Sequence, residues 1–144
     1  MAKSVLLEVI TPSQLFYKDK VEMVMVKTLS GEEGFMANHA WACKLLDVGV
    51  LWIKEVGATE FKAAAISGGY IDIRDNFVIF TDAAEWADQI DVQRAKGKKE
   101  RVEEWLSTHN KNNTDENEIM KAKISLIKQN TRMHLAETGP RRRR

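Results

Sequence analysis

The 144 residues, 44% apolar and 30% charged, are typical of a soluble globular protein with one domain, or a small domain and an appendage. The formal net charge is +1 and falls to −3 without the four arginines at 141–144, which argues against a nucleic-acid-binding body. The single cysteine, Cys43, excludes an intramolecular disulfide and a cysteine-based zinc site, and the three histidines lack metal-ligand spacing. We therefore expect no metal and no nucleic-acid partner.

The N-terminal stretch "MAKSVLLEVITPSQ" contains one short apolar run after Lys3. That run is too short for the core of a signal peptide or for a membrane span. We therefore expect the chain to be made and kept in the cytosol or an equivalent compartment.

Up to about residue 85 the sequence has the pattern of β-strands separated by turns. Short runs rich in Val, Ile, Phe and Tyr alternate with turn residues such as Gly31, Gly57 and the pair Gly68-Gly69. In "VEMVMVK", residues 21–27, neither alternating face is purely polar, which is typical of a strand covered on both sides. Many short strands without intervening helices predict an antiparallel sandwich or barrel.

The last third of the chain has a helical spacing of apolar residues. One helix is predicted from Asp91, its N-cap, to about His109, and a second from about Glu116 to Thr138. A polar turn joins them, so the two helices are expected to form an antiparallel hairpin.

The predicted hairpin has little cohesion of its own. Each helix offers only four or five apolar positions, and burial contributes roughly 1.5–3 kcal/mol per large side chain. Gly97 inside the first helix costs about 1 kcal/mol relative to alanine. We therefore expect a movable element, attached to the sandwich by Trp86 and Trp105. The inner face of the second helix is predicted to contain Met120, Ile124, Ile127, Thr131 and Leu135.

Three motifs, in this order, resemble those of the epsilon subunit of F-type rotary ATP synthases. "EVITPSQLFYKDKVEMVMVKTLSGEEGFMANHA", residues 8–40, is similar to the opening of that subunit. "AISGGYIDIRDNFVIFTDAAE", residues 65–85, resembles its "SGG" strand pair, and "IDVQRA", residues 90–95, matches its "(I/L)DxxRA" motif. The resemblance covers about residues 4–136, with Trp41 in place of a usual proline.

The resemblance implies an α+β protein with two segregated parts. Residues 1–87 would form an antiparallel β-sandwich of about ten strands that binds the rotor. Residues 88–138 would form the regulatory antiparallel two-helix hairpin. Residues 139–144 form a basic tail outside the family's pattern.

The resemblance also implies a non-catalytic central-stalk subunit. In this family the sandwich contacts the gamma subunit and the ring of c subunits, and the hairpin folds on the sandwich or extends towards the catalytic alpha and beta subunits. The extended form blocks ATP hydrolysis, and ATP bound to the folded form favours release, so ATP is the expected regulatory ligand. Such a subunit is membrane-associated only through the complex, on the cytoplasmic face of a bacterial plasma membrane or the stromal face of the thylakoid.

Two sets of site residues are predicted from the matching positions. The predicted rotor interface contains Glu32, Glu33, His39 and Trp41. The predicted nucleotide site contains Glu85, Ile90, Asp91, Arg94, Ala95, Arg101, Lys128 and Arg132. The three arginines of this site would contact phosphates, because each offers several donors in a planar fork, with Lys128 as a weaker point charge. Asp91 would cap the helix or bind ribose or base.

Other interpretations stay open from the residues alone. The face of the first helix that carries Asp91, Arg94, Lys98 and Arg101, at steps of three and four, is a solvated face, a docking surface or an anion site. A stand-alone ATP-binding sensor would have no affinity for gamma. A nucleic-acid adaptor would bind with strong salt dependence.

Overall fold

The computed structural model describes residues 3–109 and 115–138. These residues form seven strands followed by a short 3-10 helix and two α-helices. The elements are β1 (Val5–Ile10), β2 (Leu15–Thr28), β3 (Gly31–Met36), β4 (Ala42–Glu55), β5 (Lys62–Ile73), β6 (Phe77–Phe80), β7 (Ala84–Trp86), the 3-10 helix (Ala87–Gln89), α1 (Val92–His109) and α2 (Glu116–Thr138). The predicted order of strands followed by two helices is confirmed. The basic tail lies outside the described residues.

The seven strands belong to one sheet that closes on itself. The order is β1-β6-β5-β4-β2-β3, β1 also pairs with β2, and β7 pairs with β5. The closed ring therefore has five members, β1, β6, β5, β4 and β2. In an odd-membered ring the strand direction cannot alternate at every step. The prediction of a wholly antiparallel sheet is accordingly wrong at one pair, β1 with β6, which is parallel.

The resemblance implied about ten strands, and the described residues form seven. Three of the seven are long, with 14 residues in β2, 14 in β4 and 12 in β5. Two of the long strands change partner part-way. The first half of β2 pairs with β1 and its second half with β3, and β5 pairs with β7 and then with β6. Continuous strands thus replace pairs of shorter ones.

Side chains on alternate positions of the strands fill the ring. In β1, Val5, Leu7 and Val9 are buried while the residues between them are partly exposed, which is the period of a strand with one face on the core. Within the sandwich, the largest completely enclosed side chains come from five different strands: Leu7, Phe35, Leu51, Ile53, Ile71, Ile73, Phe77 and Ile79. The sandwich therefore has a continuous core of its own.

The pair Gly68-Gly69 adopts a backbone conformation that side chains disfavour. Gly68 has φ of 81° and Gly69 has φ of 107°. A Cβ atom on Gly69 would also collide with the backbone carbonyl of Phe80 on the neighbouring strand. The positive φ explains a glycine at both positions, and the close approach of Phe80 further excludes any side chain at Gly69.

Aspartate caps begin both helices, as predicted for α1. Asp91 Oδ1 accepts a hydrogen bond from the backbone N of Arg94 at 3.0 Å. Asp115 Oδ1 accepts one from the backbone N of Asn117 at 2.9 Å. The helices pack on each other, and α2 provides most of the contact with β4, β5 and the 3-10 helix.

A small apolar cluster, here called the docking cluster, joins the hairpin to the sandwich. It contains Ala63, Ala65, Ala87, Ile90 and Leu135. Of the predicted inner face of α2, Leu135 is buried as expected. Met120, Ile124 and Ile127 are 59%, 39% and 49% exposed, so that part of the prediction is wrong. These three lie opposite the buried Gln129 on the helix, and docking through the Gln129 side turns them to solvent.

The tryptophans predicted to attach the hairpin have other partners. Trp86 stacks on Phe16, with 4.5 Å between ring centroids, and belongs to the sandwich. Trp105 stacks on His109 within α1, also at 4.5 Å. Trp52 of β4 packs against the docking cluster instead.

Candidate functional site

A cleft of about 270 Å³ lies between the sandwich and the hairpin. Strands β4 and β5 and residues 83–85 form its sandwich side, and both helices form the other side. Its lining includes three cations, Lys98, Lys128 and Arg132, and one carboxylate, Glu85. The charged groups in the lining therefore leave an excess of positive charge.

The Glu85 carboxylate and the Arg132 guanidinium form a two-bond ion pair across this cleft. Arg132 Nε donates to Glu85 Oε2 at 2.9 Å, and Arg132 Nη2 donates to Glu85 Oε1 at 3.2 Å. The Arg132 side chain is 21% exposed and the Glu85 side chain 30%, so the pair is partly shielded from water. Because Glu85 is on β7 and Arg132 on α2, the pair ties the hairpin to the sandwich.

Gln129 completes the surroundings of Arg132. Its side-chain oxygen accepts a hydrogen bond from Arg132 Nη1 at 2.8 Å, and the residue is almost completely buried. All three nitrogen atoms of the guanidinium therefore have a protein partner when the hairpin is docked. Gln129 was not among the predicted site residues. A buried face is recognised in a sequence by regularly spaced apolar residues, and a polar residue such as Gln129 does not contribute to that spacing.

Lys98 and Lys128 approach the cleft from different helices. Neither forms an ion pair or hydrogen bond with any residue in 3–109 or 115–138. Both ammonium groups add positive charge at the cleft without a protein carboxylate to neutralise it. The cleft is therefore suited to a phosphate or carboxylate ligand.

The structure brings together three of the eight predicted nucleotide-site residues, Glu85, Lys128 and Arg132, which all line the cleft. Of the other five, Ile90 and Asp91 directly precede α1, and Arg94, Ala95 and Arg101 lie on it. Asp91 caps that helix, and Ile90 and Ala95 are buried. Arg94 and Arg101 are exposed and do not line the cleft, and their predicted role stays a prediction.

Lys98 is the lining residue of α1 that the motif resemblance did not include. Spacing alone pointed to it, because Arg94, Lys98 and Arg101 follow one another at steps of four and three along one helical face. The motif directed attention to the two arginines. The structure instead places the residue between them at the cleft.

The predicted rotor-interface residues lie on and after β3. Trp41 is 69% exposed, which excludes a role in the core. His39 Nδ1 lies 2.7 Å from the carbonyl oxygen of Ala40, and its ring packs edge-on against Phe35. Glu32 is exposed on β3.

Glu33 has partners within the sandwich. Lys44 Nζ donates to its carboxylate at 2.7 Å, and the Thr28 hydroxyl donates at 2.6 Å. The Lys44 bond, followed by the Thr28 bond, holds the pKa of Glu33 below its ordinary value. Glu33 thus braces the turn between β2 and β3.

Large apolar side chains form an exposed row across three strands, here called the apolar row. Leu45 of β4 lies opposite Tyr70 of β5, and Tyr70 lies opposite Phe80 of β6. They are 62%, 40% and 37% exposed. Trp41, which directly precedes β4 and is four residues before Leu45, is exposed as well. A contiguous exposed group of this kind is typical of a protein–protein contact.

The described helices do not include one long and apolar enough to cross a membrane. Within the same residues no cluster of three or more His, Cys, Asp or Glu side chains has the arrangement of a metal site.

The family described as "ATP synthase, Delta/Epsilon chain, beta-sandwich domain" matches residues 4–87, the whole sandwich and more than half of the chain. The chain belongs to this ATP synthase delta/epsilon family. The resemblance read from the sequence motifs is confirmed, and so is the prediction of a non-catalytic chain.

Bacterial relatives in the family carry the name ATP synthase epsilon chain. That of Alkaliphilus oremlandii is 44% identical over 108 residues, which is 74% of this chain and 79% of the relative. That of Bacillus pumilus is 36% identical over 135 residues, covering 93% of this chain and 98% of the relative. The second alignment therefore includes the hairpin.

Solved structures with the same fold include chains of two mitochondrial ATP synthases. A chain in the OSCP/F1/c-ring structure from Euglena gracilis has a TM-score of 0.74 at 20% identity, covering 94% of this chain and 82% of that one. A chain in the central stalk/c-ring structure from Tetrahymena thermophila has a TM-score of 0.62 at 11% identity, covering 93% and 97%. At these identities the likeness concerns the fold alone, and it extends over both the sandwich and the hairpin.

Proposed function

We propose that this protein is the epsilon subunit of an F-type ATP synthase, a central-stalk component whose hairpin regulates ATP hydrolysis. Family membership and relatives named epsilon chain support the subunit assignment. One observation carries the regulatory part. The docked hairpin buries alanines, Ile90 and Leu135 but leaves three large apolar residues of α2, Met120, Ile124 and Ile127, exposed.

The exposed residues Met120, Ile124 and Ile127, here called the α2 stripe, lie on successive turns of one helical face. An exposed apolar stripe of this kind is typical of a surface that another protein covers. In the proposed function the stripe is covered in the extended hairpin, which lies against the alpha and beta subunits. A switch of this kind requires partners that prefer different states.

The sandwich supplies the constant attachment to the rotor. We propose that Trp41 and the apolar row face the gamma subunit, since exposed aromatic and aliphatic side chains are typical anchors of such contacts. Glu32, Glu33 and His39 stay predicted contacts at the face that meets the gamma subunit and the c ring. The subunit would then be held at the membrane by the complex alone, at the cytoplasmic or stromal face.

The cleft is the proposed site for ATP as a regulatory ligand. Its excess of positive charge supports an anionic ligand, and its place between the sandwich and the hairpin links binding to the docked state. A ligand that binds only the docked form shifts the equilibrium away from the extended, inhibitory form.

The test uses ATP hydrolysis by alpha, beta and gamma assembled with this subunit. The variant Met120→Gln/Ile124→Gln/Ile127→Gln is expected to bind gamma normally in a pull-down and to lose inhibition. The matched control, Leu15→Gln/Val56→Gln, changes two equally exposed apolar residues on the sandwich. Full inhibition by the stripe variant would contradict the regulatory role. Failure of the unaltered chain to bind gamma would contradict the subunit assignment and favour a stand-alone sensor.

A further inference from the structure

A second cavity in the surface, of about 340 Å³, adjoins the docking cluster and is here called the end pocket. Its lining comes from the start of β5, from β7 and from the 3-10 helix, and consists of Lys62, Ala63, Trp86, Ala87, Asp88 and Gln89. Ala63 and Ala87 also belong to the docking cluster, in which Leu135 of α2 is buried. The end pocket therefore lies beside the contact made by the last turn of α2.

The contacts of α2 advance along the sandwich towards the end pocket. Arg132 binds Glu85, and three residues later along the helix Leu135 packs with Ala87. The helix ends at Thr138, within about one turn of Leu135. The chain that follows α2 therefore starts close to the end pocket.

That following chain is the basic tail, "GPRRRR", residues 139–144. A Gly-Pro pair directly after a helix is typical of its end, so the arginines belong to a segment that no longer continues α2. An extended chain spans about 3.3 Å per residue, so the tail can reach roughly 20 Å beyond Thr138. That reach is sufficient to cover the end pocket.

The end pocket offers an arginine both a carboxylate and an aromatic ring. Asp88 is exposed, and its carboxylate forms neither an ion pair nor a hydrogen bond with any other residue that the structure describes. The other charged residue of the lining, Lys62, is paired with Glu55 at 3.1 Å. The indole ring of Trp86 stacks on Phe16 and is partly exposed. A guanidinium group can bind a carboxylate and stack on an indole ring.

We propose that the arginines at 141–144 bind the end pocket, with a guanidinium group against Asp88 and Trp86, and hold the last turn of α2 on the sandwich. The tail lies outside the family's pattern, and this role depends on neither gamma nor a nucleotide. Because the tail follows α2, it reaches the pocket while the hairpin is docked, and its binding stabilises the docked state. The contact is largely electrostatic, so salt should weaken it.

The test measures amide hydrogen exchange of α2 in the full chain at low ionic strength. Replacement of residues 141–144 by glutamine is expected to accelerate exchange in α2 by about fivefold, as for loss of an exposed ion pair and a cation–π contact. Asp88→Asn should have a similar effect, and combining it with the glutamine tail should add little. The matched control is Asp75→Asn, since Asp75 is an exposed carboxylate between β5 and β6 that does not line the end pocket.

The indole N–H signal of Trp86 in NMR spectra reports the contact directly. Trp86→Phe identifies the signal by its loss. In the unaltered chain this signal should shift when salt is raised, and it should take the same shifted position in the glutamine-tail variant at low salt. The signal of Trp41, which is 69% exposed and does not line the end pocket, is the internal control and should stay in place.

Each alternative has its own outcome. Equal acceleration by Asp75→Asn and Asp88→Asn would overturn the end pocket in favour of diffuse attraction between the tail and the body. Acceleration by the glutamine tail, with no effect of Asp88→Asn and an unmoved Trp86 signal, would place the tail elsewhere and overturn the site. An effect that grows with protein concentration would overturn it in favour of the tail of a second copy. Unchanged exchange in every variant would show that the tail does not hold α2.

Discussion

The sandwich and the hairpin are held together by very different amounts of apolar contact. Within the described residues, the sandwich core contains sixteen buried apolar residues, among them Phe35 and Phe77. The docking cluster contains five, and three of them are alanines. The free energy gained by burial is proportional to the apolar area removed from water. The sandwich is therefore stabilised by its own core, whereas docking of the hairpin depends on a few contacts. We therefore expect the sandwich to be rigid and the docking of the hairpin to be reversible.

Polar contacts show the same contrast. In the sandwich, Glu33, Lys44 and Thr28 brace a turn that the strand ladder already holds. At the docking surface, the Glu85–Arg132 pair stands beside only a small apolar cluster. An ion pair is therefore a larger share of the docking free energy than of the sandwich's stability. If the docked and extended states of the hairpin differ by only a few kcal/mol, a ligand that binds one of them more tightly can shift the equilibrium between them.

The largest effect is expected from Gly69→Ala, which should destabilise the sandwich. The positive φ of Gly69 and the collision of a new Cβ with the Phe80 carbonyl should destabilise the fold by about 4 kcal/mol or more. Chemical denaturation followed by circular dichroism measures this loss. Hairpin docking would be lost with the sandwich.

Gly57→Ala is the matched control for backbone conformation. Gly57 also has a positive φ, 77°, but a Cβ there meets no atom within 4 Å. Its substitution is expected to cost about 1 kcal/mol. Equal losses in the two variants would show that the close approach to Phe80 contributes nothing.

The second prediction concerns Leu135→Ala, which should undock the hairpin and leave the sandwich intact. Leu135 is the largest residue of the docking cluster and is 1% exposed. Its truncation should weaken docking by about 2–3 kcal/mol. Amide hydrogen exchange should accelerate in α2 and stay slow in β4 and β5. The fluorescence of Trp52, which packs on the cluster, should also change.

Ile124→Ala serves as the control for that experiment, since the residue lies on the same helix and is exposed. It should leave exchange in α2 nearly unchanged. Loss of protection throughout the sandwich in Leu135→Ala would contradict the independence of the two regions.

Much of this contrast was predictable from the sequence. Turn residues and short apolar runs indicated the strands, and Asp91 marked the start of α1. Pairing was harder, because the parallel contact of β1 with β6 depends on ring closure and not on local pattern. The side of α2 that packs on the sandwich was also not predictable from the spacing of apolar residues along the helix. The helix docks through the side that carries Gln129 and Arg132, and the opposite side, with Met120, Ile124 and Ile127, faces solvent.

The candidate site shows what a motif can indicate and what it leaves open. The matched positions found Glu85, Lys128 and Arg132, which meet at one cleft although they are far apart in sequence. The same motif favoured Arg94 and Arg101 over Lys98. Rotation of α1 about its axis decides which residue of a basic face lines a cleft, and a motif does not contain that rotation.

The third prediction separates the ion pair from the docking cluster. Glu85→Gln and Arg132→Gln should each weaken docking by about 1–2 kcal/mol, because each leaves a partly shielded charge without its partner. The double variant should lose less than the two single losses added together. Hydrogen exchange of α2 provides the docking free energy for all three. Additive losses would show that the pair does not couple the two regions.

The smallest effect is expected from Gly97→Ala, which should strengthen the hairpin alone. Gly97 is in the interior of α1, and an added Cβ meets no atom within 4 Å apart from its own helix. Alanine should therefore stabilise α1 by about 0.5–1 kcal/mol through its helix propensity. Exchange should slow in α1 while the sandwich and the docking contacts stay as they are. Since Gly97 neighbours Lys98, anion affinity is the informative second measurement. Unchanged affinity would mean that the anion binds to a helix already formed, and tighter binding would mean that ordering α1 is part of the binding step.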